Sequence, residues 1–247
     1  MKHTCLVLLL NTLSVLAEPQ TLFFAQENAK EYTRISLIID GDKVTGTQNW
    51  LPKQPDGHGA HGTLDGIITG GGIIQVLFEY TIEGSEQSEE EVLKLDGDKL
   101  FIGEGQLLQD PKNDTRLNLQ EPNKVAFKQA LKRIPVSEPK AGTPERKAIM
   151  DAMRSPVAKQ AGTPVLFTGH VRVSGAWARF QGIVKTADGK KPPSTNFADL
   201  MELDFFCLLK KNEDGTWKVM HHGFAGDIGV AEEARLNYPA APWVLFQ

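Results

Sequence analysis

The stretch IIQVLFEYTIE, residues 73–83, decides the fold class of the N-terminal half. Ile74, Val76, Phe78, Tyr80 and Ile82 fall on one face of an extended chain, and Gln75, Glu79, Thr81 and Glu83 share the other with Leu77. Side chains alternate across a strand, so this pattern buries one face. Residues 84–88 turn the chain, and residues 91–95 return with apolar side chains at alternate positions. Outward from this hairpin the same grammar recurs. Residues 35–40 and 44–50 flank the turn DGDK (40–43), and Asp-Gly readily adopts the positive φ angles of a tight hairpin. A polar, Gly-rich loop follows at 52–62, then a strand at 63–69 and a GGG turn at 70–72. A second DGDK (96–99) leads into a strand at 100–108, with a weaker pair around 117–119 and 125–127. Short strands joined by tight turns, with no helical pattern between them, predict a small antiparallel meander barrel or sandwich over residues 20–134.

The stretch RIPVSEPKAGTP (133–144) holds three prolines and a glycine, and it reads as a boundary with a Pro-rich linker at 135–143. Thr143, Pro144 and Glu145 then open a helix as N-cap, first-turn proline and acidic first-turn residue. Ile149, Met153 and Val157 share its buried face, and Pro156 predicts a kink or split near Ser155. Alternating strands follow at 164–173, 177–184, 205–211 and 216–222. The expectation for residues 144–247 is an α+β domain, one helix packed on a curved antiparallel sheet, so the whole is mostly β with an α+β second domain.

The first residues speak to compartment. Lys2 and His3 precede the apolar run CLVLLL (5–10), and VLA (15–17) places suitable residues at −3 and −1 of a cleavage site. This is the pattern of a signal peptide over residues 1–17, cleaved near Ala17, and it predicts a secreted or periplasmic product. The run is too short to span a bilayer, and no later segment approaches that length, so no transmembrane segment is expected. Cleavage would remove Cys5 and leave Cys207 alone, so an internal disulfide is not expected. The 247 residues carry a formal net charge of −4, which argues against nucleic acid and anionic lipid as partners.

Two resemblances can be stated on particular residues. The segments VTGTQNWLP (44–52), DGHGAHGTLDG (56–66), YTIEGSEQSEE (80–90) and KLDGDKL (94–100) resemble lipocalin-like β-barrel modules of exported bacterial proteins, a group without assigned chemistry. The segments PERKAIMDAMRSPV (144–157), HVRVSGAWARFQG (170–182) and DGTWKVMHHGFAGDIG (214–229) resemble cystatin-like or nuclear transport factor 2-like domains. That second resemblance implies a layout shared by binding modules, protease inhibitors and some isomerases and hydrolases. It transfers no catalytic residue.

Several constellations carry candidate chemistry. Asp56, His58 and His61 offer a carboxylate and two imidazoles three residues apart, the donors of a transition-metal site or simply a solvated loop. His221 and His222 adjoin a strand end, where alternation sends neighbours to opposite faces, and one of them with Asp227 suits general acid–base work. His170, Arg172, Arg179 and Gln181 share one face of a hairpin, as a solvated face, a polar groove or a docking surface. Trp50, Phe78 and Tyr80 would line a barrel interior as core or ligand site. Glu83, Glu86, Glu89, Glu90 and Glu91 read as an acidic hairpin tip at a solvated edge. The leading expectation is a non-enzymatic exported module that binds a small apolar ligand or another exported protein, with no cofactor implied. The alternatives are a hydrolase or isomerase of the second domain using His221 or His222 with Asp227, and a metal-binding protein using His58 and His61.

Overall fold

The computed structural model describes residues 18–54, 57–192, 204–224 and 229–247. The leader pattern at 1–17 and the candidates Asp56 and Asp227 lie outside the described residues. Contacts divide the chain into two compact units that meet in sequence at Arg133 and Ile134.

The first unit contains β1 (Gln20–Glu27), β2 (Glu31–Asp40), β3 (Lys43–Pro52), β4 (Ala60–Ile68) and β5 (Ile73–Ile82). It continues with β6 (Ser85–Asp96), β7 (Lys99–Glu104), β8 (Leu107–Asp110), β9 (Asn113–Leu119) and β10 (Ala126–Arg133). Strands β1 to β7 pair antiparallel in chain order, β7 pairs with β10, and β10 returns to β1. The result is a closed eight-stranded antiparallel barrel. Closure satisfies every strand edge within the ring. The β8–β9 hairpin stands outside that ring and lies parallel on β6 through Ser88↔Arg116 and Glu89↔Leu117.

The two DGDK turns form as expected, with Gly41 at φ 63° and Gly97 at φ 62°. Three readings need correction. Residues 20–27 form a strand that the meander omitted, because LFFA (22–25) is a continuous apolar run without alternation. The strand expected at 100–108 breaks at Gly105-Gln106 into β7 and β8, which have different partners. The segments around 117–119 and 125–127 belong to β9 and β10, which do not pair with each other: β9 joins β8 and β6, while β10 closes the ring.

The interior has two chemically different halves. In the apolar half Leu22, Leu37, Val44, Leu64, Ile74 and Leu100 are fully or almost fully buried in one cluster. Gly66 on β4 permits the close approach of β5: a Cβ there would fall 2.0 Å from the Gln75 carbonyl oxygen.

The second unit orders β11 (Leu166–Ser174), β12 (Trp177–Lys185), β13 (Asp204–Lys211) and β14 (Trp217–Phe224) into one antiparallel sheet. Helix α1 (Pro144–Ala161) covers one face, burying Ile149, Met153, Val157 and Ala161 against Val171, Phe180, Phe205 and Leu209. Thr143 Oγ1 accepts from Arg146 N at 3.4 Å, and Gly162 ends the helix in the left-handed conformation at φ 69°. Pro156 does not split α1, which runs through it as one element. Buried residues on both sides of the proline, Met153 before and Val157 after, hold the helix against the lost backbone bond. The opposite sheet face is covered by α2 (Gly229–Asn237) and a 3-10 turn, Trp243–Phe246. Gly223 on β14 lets α2 come close, since a Cβ there would meet Val230 at 3.1 Å. Residues 135–137 are tied to this sheet, because Ser137 bridges Val173 and Ser174 Oγ donates to the Pro135 carbonyl at 2.9 Å. Among the described residues no helix is long and apolar enough to cross a membrane.

A Gly66→Ala substitution should destabilise the barrel by about 1–3 kcal/mol, because the added methyl meets backbone rather than a flexible side chain. Urea unfolding followed by tryptophan fluorescence measures it, and an unchanged midpoint would contradict this account of β4–β5 packing.

Candidate functional site

The site follows from one register. On β5 and β6, Val76 stands opposite Glu91, Phe78 opposite Glu89 and Tyr80 opposite Gln87. Directly opposed residues project from the same face of an antiparallel pair. Val76 and Phe78 belong to the interior cluster, so Glu91 and Glu89 also point into the barrel. Gln48 on β3 confirms it, donating from Nε2 to Glu91 Oε1 at 2.7 Å. Strands β3 and β6 are not neighbours, so this bond crosses the interior. Glu89 and Glu91 are therefore interior groups, which corrects the reading of a solvated acidic tip. The sequence signal was present but masked: EEE at 89–91 has no polar alternation, and only the register on β5 selects which carboxyls turn inward.

Around this bond the second half of the interior is polar. Thr33 and Gln48 are 2% and 5% exposed. Trp50 Nε1 donates to Glu31 Oε2 at 2.7 Å, and the Tyr80 hydroxyl donates to Gln87 Oε1 at 3.2 Å. Tyr80 stacks on Phe78 with ring centroids 4.6 Å apart. Three buried atoms in this half have no hydrogen-bond partner: Gln26 Oε1, Thr33 Oγ1 and Gln48 Oε1. Each such atom costs about 1–3 kcal/mol when nothing meets it. Burial pushes the Glu91 carboxyl up to about 8, and the adjacent Glu89 adds to that shift. Burial also raises Glu89, and burial together with Glu89 raises the Tyr80 hydroxyl to about 12. The pair thus holds a proton at neutral pH, because two desolvated carboxyls resist carrying two charges. Phe78 is buried in the interior cluster with Tyr80 packed against it, and Trp50 is half-buried.

The other candidates are dispersed. His58 pairs with Glu83 at 3.3 Å in an exposed position. His61 is on the outer side of β4, in a concavity of about 490 Å³ shared with Glu79, Glu86, Asn113 and Thr115. Among the described residues no group of three or more His, Cys, Asp or Glu gathers into a metal-holding cluster. His221 and His222 face opposite sides of the second sheet. His221 Nε2 approaches Glu233 of α2 at 3.7 Å, while His222 packs against Phe205 at 5.9 Å on the α1 side. Burial lowers the His222 imidazole, and the neighbouring His221 lowers it further. Cys207 lies opposite His222 in register, fully buried, and burial raises its thiol well above the ordinary range.

Arg172 and Arg179 hold the chain's own C-terminal segment. Arg172 donates to the Val244 carbonyl at 3.2 Å and pairs with Glu138. Arg179, 8% exposed, donates to the carbonyls of Leu245 and Gln247. Burial lowers the Arg179 guanidinium to about 10, with Arg172 contributing. This face is not solvated at Arg179, although His170 and Gln181 on the same face remain exposed. Sequence spacing placed the four residues together but had no signal for the segment at 243–247 that covers two of them.

The chain therefore pairs a closed antiparallel barrel with an α+β unit, and the barrel carries inward polar side chains with buried atoms left unmet. No protein-family model, curated protein or solved structure matches this chain.

Glu91 should make stability fall as pH rises. Its folded value lies above the unfolded one, so the folded state binds the extra proton, and stability is lost between about pH 5 and pH 8. Glu91→Gln should flatten that slope in unfolding titrations across this window. Cys207 should resist a thiol reagent in the native protein at pH 8 and react fully on denaturation; rapid native labelling would contradict its placement.

Proposed function

We propose that this is an exported, non-enzymatic binding protein whose barrel takes up a small hydrogen-bonding molecule in its polar half. The observation that carries this reading is a set of inward polar groups, Gln26 facing Thr33 across β1 and β2 and Gln48 bonded to Glu91, of which Gln26, Thr33 and Gln48 each keep a buried polar atom without a partner. Such atoms are ordinarily met by protein, water or ligand. The leader pattern at 1–17 supports export, and the closed eight-stranded barrel supports the lipocalin-like comparison drawn from residues 44–100. A barrel of eight strands is wide enough for side chains to fill or for one small ligand. The apolar half is occupied by its own buried side chains, which favours a polar ligand over the apolar one expected from sequence. The alternative that uses His221 or His222 with Asp227 turns on a residue outside the described ones, and among the described residues His58 and His61 belong to no cluster of three metal-ligating side chains.

Native mass spectrometry of the protein from Glu18 onward, purified gently from its source, tests the reading. A small added mass is expected, and Gln48→Leu should lose it while keeping the far-ultraviolet spectrum. An apo mass that persists after incubation with a small-molecule extract of the source would overturn the proposal.

A further inference from the structure

Resting on the reading that the polar half takes a small ligand, we infer that this ligand is an organic ammonium cation, held by the carboxyls of Glu89 and Glu91 with Trp50 and Tyr80 beside them. Three independent observations on the lumen point to this class.

The first is the balance of donors and acceptors. The bond from Gln48 Nε2 to Glu91 Oε1 fixes the amide orientation, so the unmet Oε1 of Gln48 is an acceptor. Gln26 Oε1 is a further unmet oxygen and Thr33 Oγ1 can accept as well, while the Glu91 carboxyl shares a hydrogen bond with Glu89 that an arriving cation would replace. Gln48 and Thr33 are more than nine-tenths buried, so bulk water does not reach them. A set of oxygens asks for a ligand rich in N–H donors. An ammonium group supplies three donors and no acceptor.

The second is charge. Among the described residues, the inward positions of this half on β1, β2, β3, β5 and β6 carry no lysine or arginine. They do carry Glu31, Glu89 and Glu91. The exposed lysines Lys53 and Lys128 are already matched, with Glu27 at 2.7 Å and with Glu104 at 2.8 Å respectively. An anionic ligand would meet carboxyls with no internal cation to offset them, at a large desolvation cost. A cation would meet the charge it lacks.

The third is the aromatic frame. Trp50 is held by its bond to Glu31, and Tyr80 by its stack on Phe78. Rings fixed beside carboxyls form the setting in which organic cations are recognised, through the negative faces of the rings. A bare metal ion would instead gather several oxygen ligands at short range, and no such cluster exists among the described residues. The apolar side chains adjoining the polar half, Ile35, Leu64 and Phe78, suit the hydrocarbon part of an amine.

Binding would also move protons. The titratable groups beside the bound cation are Glu31 on β2, Tyr80 on β5 and Glu89 and Glu91 on β6, and the Glu27–Lys53 and Glu104–Lys128 pairs are exposed. An ammonium ion favours the ionised carboxyl, so Glu91 releases its proton on binding below about pH 8, and affinity rises with pH toward that value.

Titration calorimetry of the full mature chain tests the inference, with ammonium probes from methylammonium to spermidine and the matched alcohols and carboxylates. At least one amine should bind at least about tenfold tighter than its alcohol, while the carboxylates give no heat. Binding at pH 7 should release protons, read from the dependence of the heat on buffer ionisation. Glu91→Gln should weaken the amine at least tenfold and abolish that release while leaving the fold intact. Equal binding of amine and alcohol, or an unchanged Glu91→Gln variant, would overturn the cation assignment but leave a small-ligand barrel standing. No heat with any probe overturns the assignment, and an apo mass in the native spectra would then remove the binding reading as well.

Discussion

The register of β5 on β6 is the constraint on which the site depends. Antiparallel partners share a face, and β5 has only one face that can be buried. Once Val76 and Phe78 enter the core, Glu91 and Glu89 must follow them inward. A slip of one residue in β6 would turn Glu90 inward and carry Leu93 out of the interior cluster. The arrangement outside the barrel reinforces the choice, since the Glu90 carboxylate accepts from Leu119 N at 3.0 Å and pairs with Arg116 on β9. The β8–β9 hairpin thus recognises the outward member of the EEE triplet and leaves the flanking two to the lumen.

The second unit solves a different problem with related means. Its sheet is covered on both faces, so its strands lose the clean alternation of a half-exposed sheet, as FFCLL at 205–209 shows by being buried throughout. α1 takes one face with aliphatic and aromatic contacts. The other is closed by α2 and by the 3-10 turn at the C-terminal end, with Phe246 stacked on Phe206 at 6.3 Å. Arg179 and Arg172 then satisfy the carbonyls of that turn, which have no helix of their own to bond within. Cationic side chains that read as a binding surface therefore serve as the clasp of an internal segment.

What was legible in the sequence was the periodic part. The alternation at 73–83, the paired Asp-Gly turns and the Thr143 cap each state a local geometry that tertiary contacts do not override. What was not legible needs a partner to be decided. The strand at 20–27 is a continuous apolar run whose strand character comes from β2 and β10 on either side. Pro156 is a local helix breaker outvoted by the buried residues flanking it. The interior carboxyls are the clearest case: a run of glutamates is a solvated edge by composition and an interior pair by register. Phe78 and Tyr80 join the interior cluster because aromatic side chains on an alternating face have one good destination, whereas acidic ones have two.

A barrel interior without function is best filled with aliphatic side chains, as its apolar half is. Carboxyl, amide and hydroxyl groups in the other half weaken the fold twice, through desolvation and through oxygens left unmet. They also leave the pair able to exchange a proton near neutral pH, a property that packing alone does not require. Local conflicts of this kind concentrate where a molecule does its work. The polar half supplies its own rigid frame, because the Gln48–Glu91 bond spans non-adjacent strands and Trp50 is fixed by Glu31.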